Sequence, residues 1–387
     1  TKDGLNRYDG YSFKVYRHDP NDSSTVSDSY VEQVVVDDFG NVWVGTFSAG
    51  MNVFDPRKEV FYRFPVDAAD PETLSNLGIR AFVIDPFLST ATRIVCWVGT
   101  QNGLNQLEFF PGLGDQHFAH VGSRALAQDS DLPGNHSWYR VKRFLFEKNR
   151  GDGDEASSPF SIAALHLDSG GGLWVSARGD FYYSPPQSSI GVDRSFTRII
   201  PDPRNPNALP SFDRAMVVTS PSGELWFGTT HGLARLHSMD GGRFRFENFP
   251  FPENESEKHI LTNGPTSMVF DQKGRMWVTR YNNAALLFYP TEGKMEFVRE
   301  RFNDSENSTA LLTRSVYLDR SGTLWIGTSG FGIVKYDVKK EQFHSVSSKH
   351  AERESIENNY VSWIAADYDD GLLLKMGKHI YAYDKTA

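Results

Sequence analysis

The side chains able to do chemistry gather at two fixed places in a pattern that the chain repeats. One lies just ahead of a short apolar run and holds Tyr30, Arg80, Phe160, Phe212, Asp213, Arg214, Asn263, Arg314 and Tyr360. The other follows a Trp-(aliphatic)-Gly-Thr signature or its variants. It holds Phe47, Gln101, Asn102, Arg178, His231, Arg280, Tyr281, Asn282 and Phe331. Flat aromatic faces mixed with guanidinium, amide and imidazole groups suit a sugar- or anion-binding cleft, where a few polar groups orient a ligand against apolar surfaces. The ligand-contacting set expected from this reading is Tyr30, Arg80, Arg178, Phe212, Arg214, His231, Arg280, Tyr281, Asn282, Arg314, Phe331 and Tyr360. The competing reading is that these groups merely fill a funnel through solvent-bridged contacts.

Catalysis has weaker support in the residues. An Asp recurs three residues ahead of a Gly, as in Asp37 and Gly40, Asp271 and Gly274, or Asp319 and Gly322. The Asp-box of sialidases needs a spacing of two, which Asp38 alone offers, so a turn-forming Asp is the simpler account. The 11 His are scattered without ligand-like spacing, and 49 acidic residues supply any carboxylate pair one cares to choose. No catalytic set, metal site or cofactor is assigned on these grounds.

The elements that must position these residues come from the repeat. Its unit is Asp-x-x-Gly-x-(aliphatic)-Trp-(aliphatic)-Gly-Thr, clearest at Asp37–Thr46 and Asp319–Thr328, with looser copies around Trp97, Trp174, Trp226 and Trp277 and a last one with Leu374 in the Trp place. From Trp43 the successive spacings are 54, 77, 52, 51, 48 and 49 residues. Each unit reads as a four-stranded antiparallel meander: an apolar strand, the Asp-x-x-Gly turn, the Trp strand, a third strand such as Met51–Phe54 and an outer strand of alternating aromatics. A period near 50 in an aromatic-rich, all-β chain marks a β-propeller. Polar segments with Pro, such as Asp19–Asp28, Asp70–Asn76 and Asp202–Pro210, then cross from the rim of one blade to the centre of the next.

First strands precede Asp37, Asp85, Asp168, Ser220, Asp271, Asp319 and Asp367, which predicts seven blades in one domain over residues 1–387. The opening Thr1–Asp9 matches the second half of a repeat, and the last repeat lacks an outer strand. The chain is therefore expected to begin inside a repeat, as part of a longer protein, with its N-terminal strands pairing with the C-terminal blade to close the ring. The 77-residue interval holds an insertion at about 112–158, with Trp138 and Tyr139 inside it.

Composition sets outer limits. A formal net charge of −9 argues against a nucleic-acid face, and no apolar run is long enough to span a bilayer. Cys96 is the only cysteine, so no internal disulfide can form, and its place in an apolar strand suits an inert thiol.

The run Leu225-Trp226-Phe227-Gly228-Thr229-Thr230-His231-Gly232-Leu233 resembles the repeat of the two-component regulator propeller family, and Asp3–Gly10 resembles the first repeat of such sensors. The resemblance extends from Thr1 to Asp384, outside the insertion. It implies an extracytoplasmic, periplasmic sensor module of a membrane protein, itself not an enzyme and not touching the membrane. The output would be a histidine kinase or, in other members, a diguanylate cyclase. Expected partners are an oligosaccharide or other small ligand, an adjacent propeller or β-domain of the same protein, and a second copy of the chain. Departures occur at Trp174-Val175-Ser176-Ala177 and Trp277-Val278-Thr279-Arg280. The alternative class is a propeller enzyme, a glycosidase or lyase acting on polysaccharide.

Overall fold

The computed structural model describes residues 4–8, 13–67, 69–111, 138–144, 160–177, 179–187, 194–212, 216–252, 264–280, 285–298, 313–319, 321–328, 333–338, 342–346, 361–366, 372–376 and 379–383. Every named element among them is a β-strand. An N-terminal hairpin, β1 (Leu5–Tyr8) and β2 (Phe13–Tyr16), precedes blade one, which is β3 (Val31–Val36), β4 (Val42–Thr46), β5 (Met51–Asp55) and β6 (Val60–Arg63). Blade two is β7 (Ile79–Ile84), β8 (Ile94–Thr100), β9 (Gly103–Phe109) and β10 (Tyr139–Phe144). Blade three is β11 (Ile162–Leu167), β12 (Leu173–Ala177), β13 (Asp180–Ser184) and β14 (Thr197–Ile199). In blade four are β15 (Met216–Thr219), β16 (Leu225–Gly228), β17 (Gly232–Asp240) and β18 (Arg243–Pro250). Blade five is β19 (Pro265–Phe270), β20 (Met276–Arg280), β21 (Leu286–Tyr289) and β22 (Lys294–Phe297), and blade six is β23 (Thr313–Leu318), β24 (Thr323–Thr328), β25 (Ile333–Asp337) and β26 (Gln342–Val346). A last sheet holds β27 (Val361–Ala366), β28 (Leu372–Met376) and β29 (His379–Tyr383).

The fold is thus a β-propeller of antiparallel meanders, with six four-stranded blades among the described residues where seven were expected. The first strands β3, β7, β11, β15, β19, β23 and β27 lie side by side in order, and β27 lies beside β3. The last sheet, however, has three strands among the described residues. The N-terminal strands do come to the C-terminal sheet, with β1 running beside β29, but among the described residues β1 and β2 form a sheet separate from β27–β29 rather than one joined to it by backbone pairing. Two side chains of the hairpin also reach blade one. Leu5 and Tyr16 join the core of Val34, Val44, Phe54 and Phe61, and Tyr16 donates a 3.0 Å hydrogen bond to Glu59, which also pairs with Lys14.

Two devices hold the blades. The six Trp of the repeat, on β4, β8, β12, β16, β20 and β24, are at most 1% exposed and fill the layers between blades. The repeat Asp works at both ends of that arrangement. In blade one Asp37 Oδ1 accepts the turn amides of Phe39 and Asn41, while Oδ2 accepts the Trp43 indole N–H at 2.9 Å. The same indole bond joins Asp85 to Trp97, Asp168 to Trp174, Asp271 to Trp277 and Asp319 to Trp325, at 2.8 to 3.0 Å. The turn role was legible in the sequence; the indole bond was not.

The Gly after the Trp has a packing reason. A Cβ on Gly45 would stand 2.7 Å from Ile79 of the next first strand, one on Gly99 would stand 2.5 Å from Ile162, and one on Gly228 would stand 2.6 Å from Met268. Only a residue without a side chain lets the next blade approach so closely.

The crossings are clamped from the outer strands. Arg63 donates to carbonyls of Asp22, Thr25 and Val26, and Arg143 donates to those of Asp67, Asp70, Thr73 and Leu74. Arg143 lies within the stretch read as an insertion. That reading is corrected for residues 138–144: β10 is the outer strand of blade two, and Trp138 and Tyr139 are core residues packed on Phe64 and Phe109. The outer strand follows its third strand at a distance that hid it from the period.

Candidate functional site

On the loop face, the crossings end and the second strands turn into the third. The Thr of the signature fixes these turns. Thr46, Thr100 and Thr229 donate their hydroxyls to the carbonyls of Gly50, Gly103 and Gly232 at 2.7 to 3.0 Å. Blade five has Arg280 in that place and blade three has Ala177.

A second recurrent feature aims side chains at this face. Six first strands carry a register shift at their second residue, namely Glu32, Arg80, Ala163, Thr266, Arg314 and Ser362. Such a β-bulge takes one residue out of the in–out alternation and re-aims it. The residue that follows can then serve the next blade. Gln33 exchanges two hydrogen bonds with the Phe82 backbone, at 2.9 and 3.1 Å, and Ser267 donates to the Val316 carbonyl at 3.0 Å. The bulge was not foreseen. Its only trace in the sequence is a charge inside an otherwise apolar strand, as in Ile79-Arg80-Ala81-Phe82.

Of the twelve residues expected to contact ligand, Arg178, Arg214, Tyr281, Asn282, Phe331 and Tyr360 lie outside the described residues. The other six divide. Tyr30 and Arg80 come together around Phe47 at the junction of blades one and two. Tyr30 stacks on the Phe47 ring at 4.7 Å and 21°, and the Arg80 guanidinium lies over the same ring at 4.8 Å. The shelf is fixed from behind: Phe47 N–H donates to the Tyr30 carbonyl, and Asp28 accepts from Tyr30 N–H and Ser48 Oγ.

His231 and Arg280 meet through Phe251 at the junction of blades four and five. Phe251 N–H donates to the carbonyl of exposed His231 at 3.0 Å, and the Arg280 guanidinium stacks on the Phe251 ring at 4.6 Å. Arg280 is fully buried, and desolvation pulls its pKa down to about 10, so it stays charged at neutral pH. Phe251 was absent from the expected set. Phe212 sits elsewhere: 7% exposed and packed on Phe181 at 4.8 Å, it belongs to the core of blades three and four. Arg314 is half-buried at the bulge of β23.

Buried titratable groups away from this face are tied into packing. His166 shares a 2.8 Å hydrogen bond with Thr219 of the next blade, and burial lowers its pKa to about 4. Arg194 lies over Trp97 at 4.7 Å and 3.9 Å from Asp85, each side chain 1% exposed. Burial pushes the Cys96 thiol well up, as expected of an inert group. Among the described residues no cluster of three or more His, Cys, Asp or Glu could hold a metal ion, and no helix is long and apolar enough to cross a membrane.

No family model matches the chain, and the search of curated proteins returns no match. Solved structures do match. The extracellular domain of BT4673 from B. thetaiotaomicron, assigned to a hybrid two component system, superposes with a TM-score of 0.61 at 18% identity over 97% of this chain and 40% of its own. That of BT3049 from the same source superposes with a TM-score of 0.60 at 18% identity, over 92% of this chain and 40% of its own. This chain therefore spans about two fifths of the length of those structures. Virginiamycin B lyase from Staphylococcus aureus is also similar, with a TM-score of 0.56 at 11% identity over 90% of this chain and 92% of its own. At these identities the shared property is the propeller fold.

Proposed function

We propose that the chain is the extracytoplasmic ligand-sensing module of a transmembrane two-component sensor, with an oligosaccharide as ligand. The observation that carries this reading is the pairing of aromatic faces with a half-buried guanidinium on the loop face at the junction of blades one and two, Tyr30–Phe47–Arg80. Stacking surfaces next to fixed hydrogen-bond donors are what a pyranose needs, because its C–H face packs on a ring while its hydroxyls bond at the edge. Support also comes from the fold, which is shared with extracellular domains of hybrid two component systems.

In this reading the module lies in the periplasm, the output is a histidine kinase, and the signal passes to an adjacent β-domain or a second copy of the chain. Binding must favour one arrangement of the module against that neighbour, since a ligand indifferent to both shifts nothing. The test is calorimetric titration of the chain with a panel of neutral and charged oligosaccharides, with Tyr30→Ala and His231→Ala as variants. Saturable binding without turnover, weakened by either change, is the expected result. Cleavage of any panel member by the chain would instead favour a polysaccharide-degrading enzyme.

A further inference from the structure

We infer that the junction of blades one and two is a subsite for a sugar ring bearing an anionic substituent, a carboxylate or a sulfate, with Arg80 as its counter-ion and Tyr30–Phe47 as the ring shelf. This rests on the oligosaccharide-sensing reading and narrows it to acidic sugars.

Three observations meet there. First, Arg80 is the bulge residue of β7, set outside the alternation that would otherwise bury it between blades. Second, among the described residues Arg80 makes no ion pair or hydrogen bond; its one contact of that kind is the face of Phe47 at 4.8 Å. A guanidinium held over a ring still has N–H donors to offer, and their fork matches a carboxylate or sulfate in a geometry a lysine lacks. Third, the nearby carboxylates leave the cation unspent. Asp28 is engaged by Tyr30 N–H and Ser48 Oγ, and Glu32, at the equivalent bulge of blade one, forms no ion pair with Arg80.

The shelf has the rigidity that recognition needs. Gly50 N–H donates to the Leu77 carbonyl, and Gln101 N–H to that of Gly78, so the two loops are tied together at 2.8 and 2.9 Å. Leu77, 47% exposed, adds apolar surface beside them. Phe47 holds the cation by its quadrupole, and Tyr30 stacks on the Phe47 ring. A ring settling on that surface with its acidic group at the Arg80 edge forms two charge-assisted hydrogen bonds and loses little, because the side chain is already ordered.

The experiment titrates the 387-residue chain with three matched ligands: a neutral galacto-oligosaccharide, the corresponding oligogalacturonate and a sulfated galacto-oligosaccharide. Arg80→Gln and Arg80→Lys are titrated in parallel, with circular dichroism to confirm folding. The expected result is binding of an acidic ligand at least about tenfold tighter than the neutral one. That margin should weaken with added salt, vanish in Arg80→Gln and be only partly restored in Arg80→Lys. The better of the two acidic arms identifies the substituent. Equal binding of neutral and acidic ligands, or an Arg80→Gln variant that keeps the margin, overturns this inference while leaving the sensing of oligosaccharides intact. Binding of none of the three overturns both.

Discussion

Blade four breaks the repeat at one atom, and the break can be repaired. In five blades an Asp carboxylate caps the turn with one oxygen and receives the buried indole N–H with the other. Blade four has Ser220 in that place. Its Oγ accepts Glu224 N–H at 3.0 Å, covering the turn, but Trp226 Nε1 is buried with no hydrogen-bond partner among the described residues. A buried donor left unmade costs about 1–3 kcal/mol, and a hydrogen bond to a charged acceptor contributes about 1.5–3 kcal/mol. Against this stand the desolvation of a carboxylate at a 7% exposed position and repulsion from Glu224. Arg235, paired with Glu224 and 5.6 Å from the Trp226 ring, offsets part of both. Ser220→Asp should therefore stabilise by about 1–2 kcal/mol net, and the reciprocal Asp319→Ser should cost about 2–3 kcal/mol. Calorimetric melting gives the sign. Hydrogen exchange of the β16 amides, which should slow in Ser220→Asp while those of β24 do not change, places the effect. A Ser220→Asp protein melting lower than its parent, or an Asp319→Ser protein melting unchanged, would refute the argument that the Asp–indole bond holds the blades.

Two further expectations separate effects that the sequence treats alike. Gly99→Ala, whose Cβ would stand 2.5 Å from Ile162, should cost about 1–3 kcal/mol by overpacking. Gly40→Ala, at φ +84° with nothing within 4 Å, should cost only the backbone strain of about 1 kcal/mol; comparable losses in urea melts would contradict the close blade approach. For His166 the folded pKa of about 4 lies below the ordinary 6.5, so the unfolded chain takes up the proton first. Its contribution is complete above pH 6.5 and is lost as pH falls toward 4, to a total on the order of 3 kcal/mol. His166→Asn should flatten that part of the stability-against-pH curve, and an unchanged slope would show the imidazole to be solvated.

How far the sequence could be read depended on whether a feature repeats. The Trp strand, the Asp turn and the crossings recur, so their period exposes them and their residue types explain them. β10 was lost because a long segment separates it from β9, which moves it out of phase although its Arg143 does what Arg63 does in blade one. The meeting of the termini was legible by count, since the strands missing from one end are offered at the other, and β1 does run beside β29. That the hairpin stays a separate sheet, with Leu5 and Tyr16 packed toward Phe54 and Phe61, is something a count of strands does not contain. On the loop face the two guanidiniums were legible as types. Their aromatic partners depended on a bulge in one case and on a crossing residue, Phe251, in the other, and neither leaves a periodic trace.

Arg280 lets fold and function be pulled apart. In blades one, two and four the equivalent Thr closes its turn with a hydroxyl bond, and blade five gives that bond up for a fully buried guanidinium. Burying a cation is costly, as the lowering of its pKa to about 10 reflects, and stacking on Phe251 returns only about 1–2 kcal/mol. If the charge serves the loop face, Arg280→Thr should leave stability within about 1 kcal/mol of the parent. Ligand affinity should fall by about tenfold or more. If the charge serves the fold, the same change should lower the melting temperature and leave the affinity of the surviving folded protein unaltered. Melting and titration on one preparation decide between them, and a destabilised variant that still binds normally would remove Arg280 from the site.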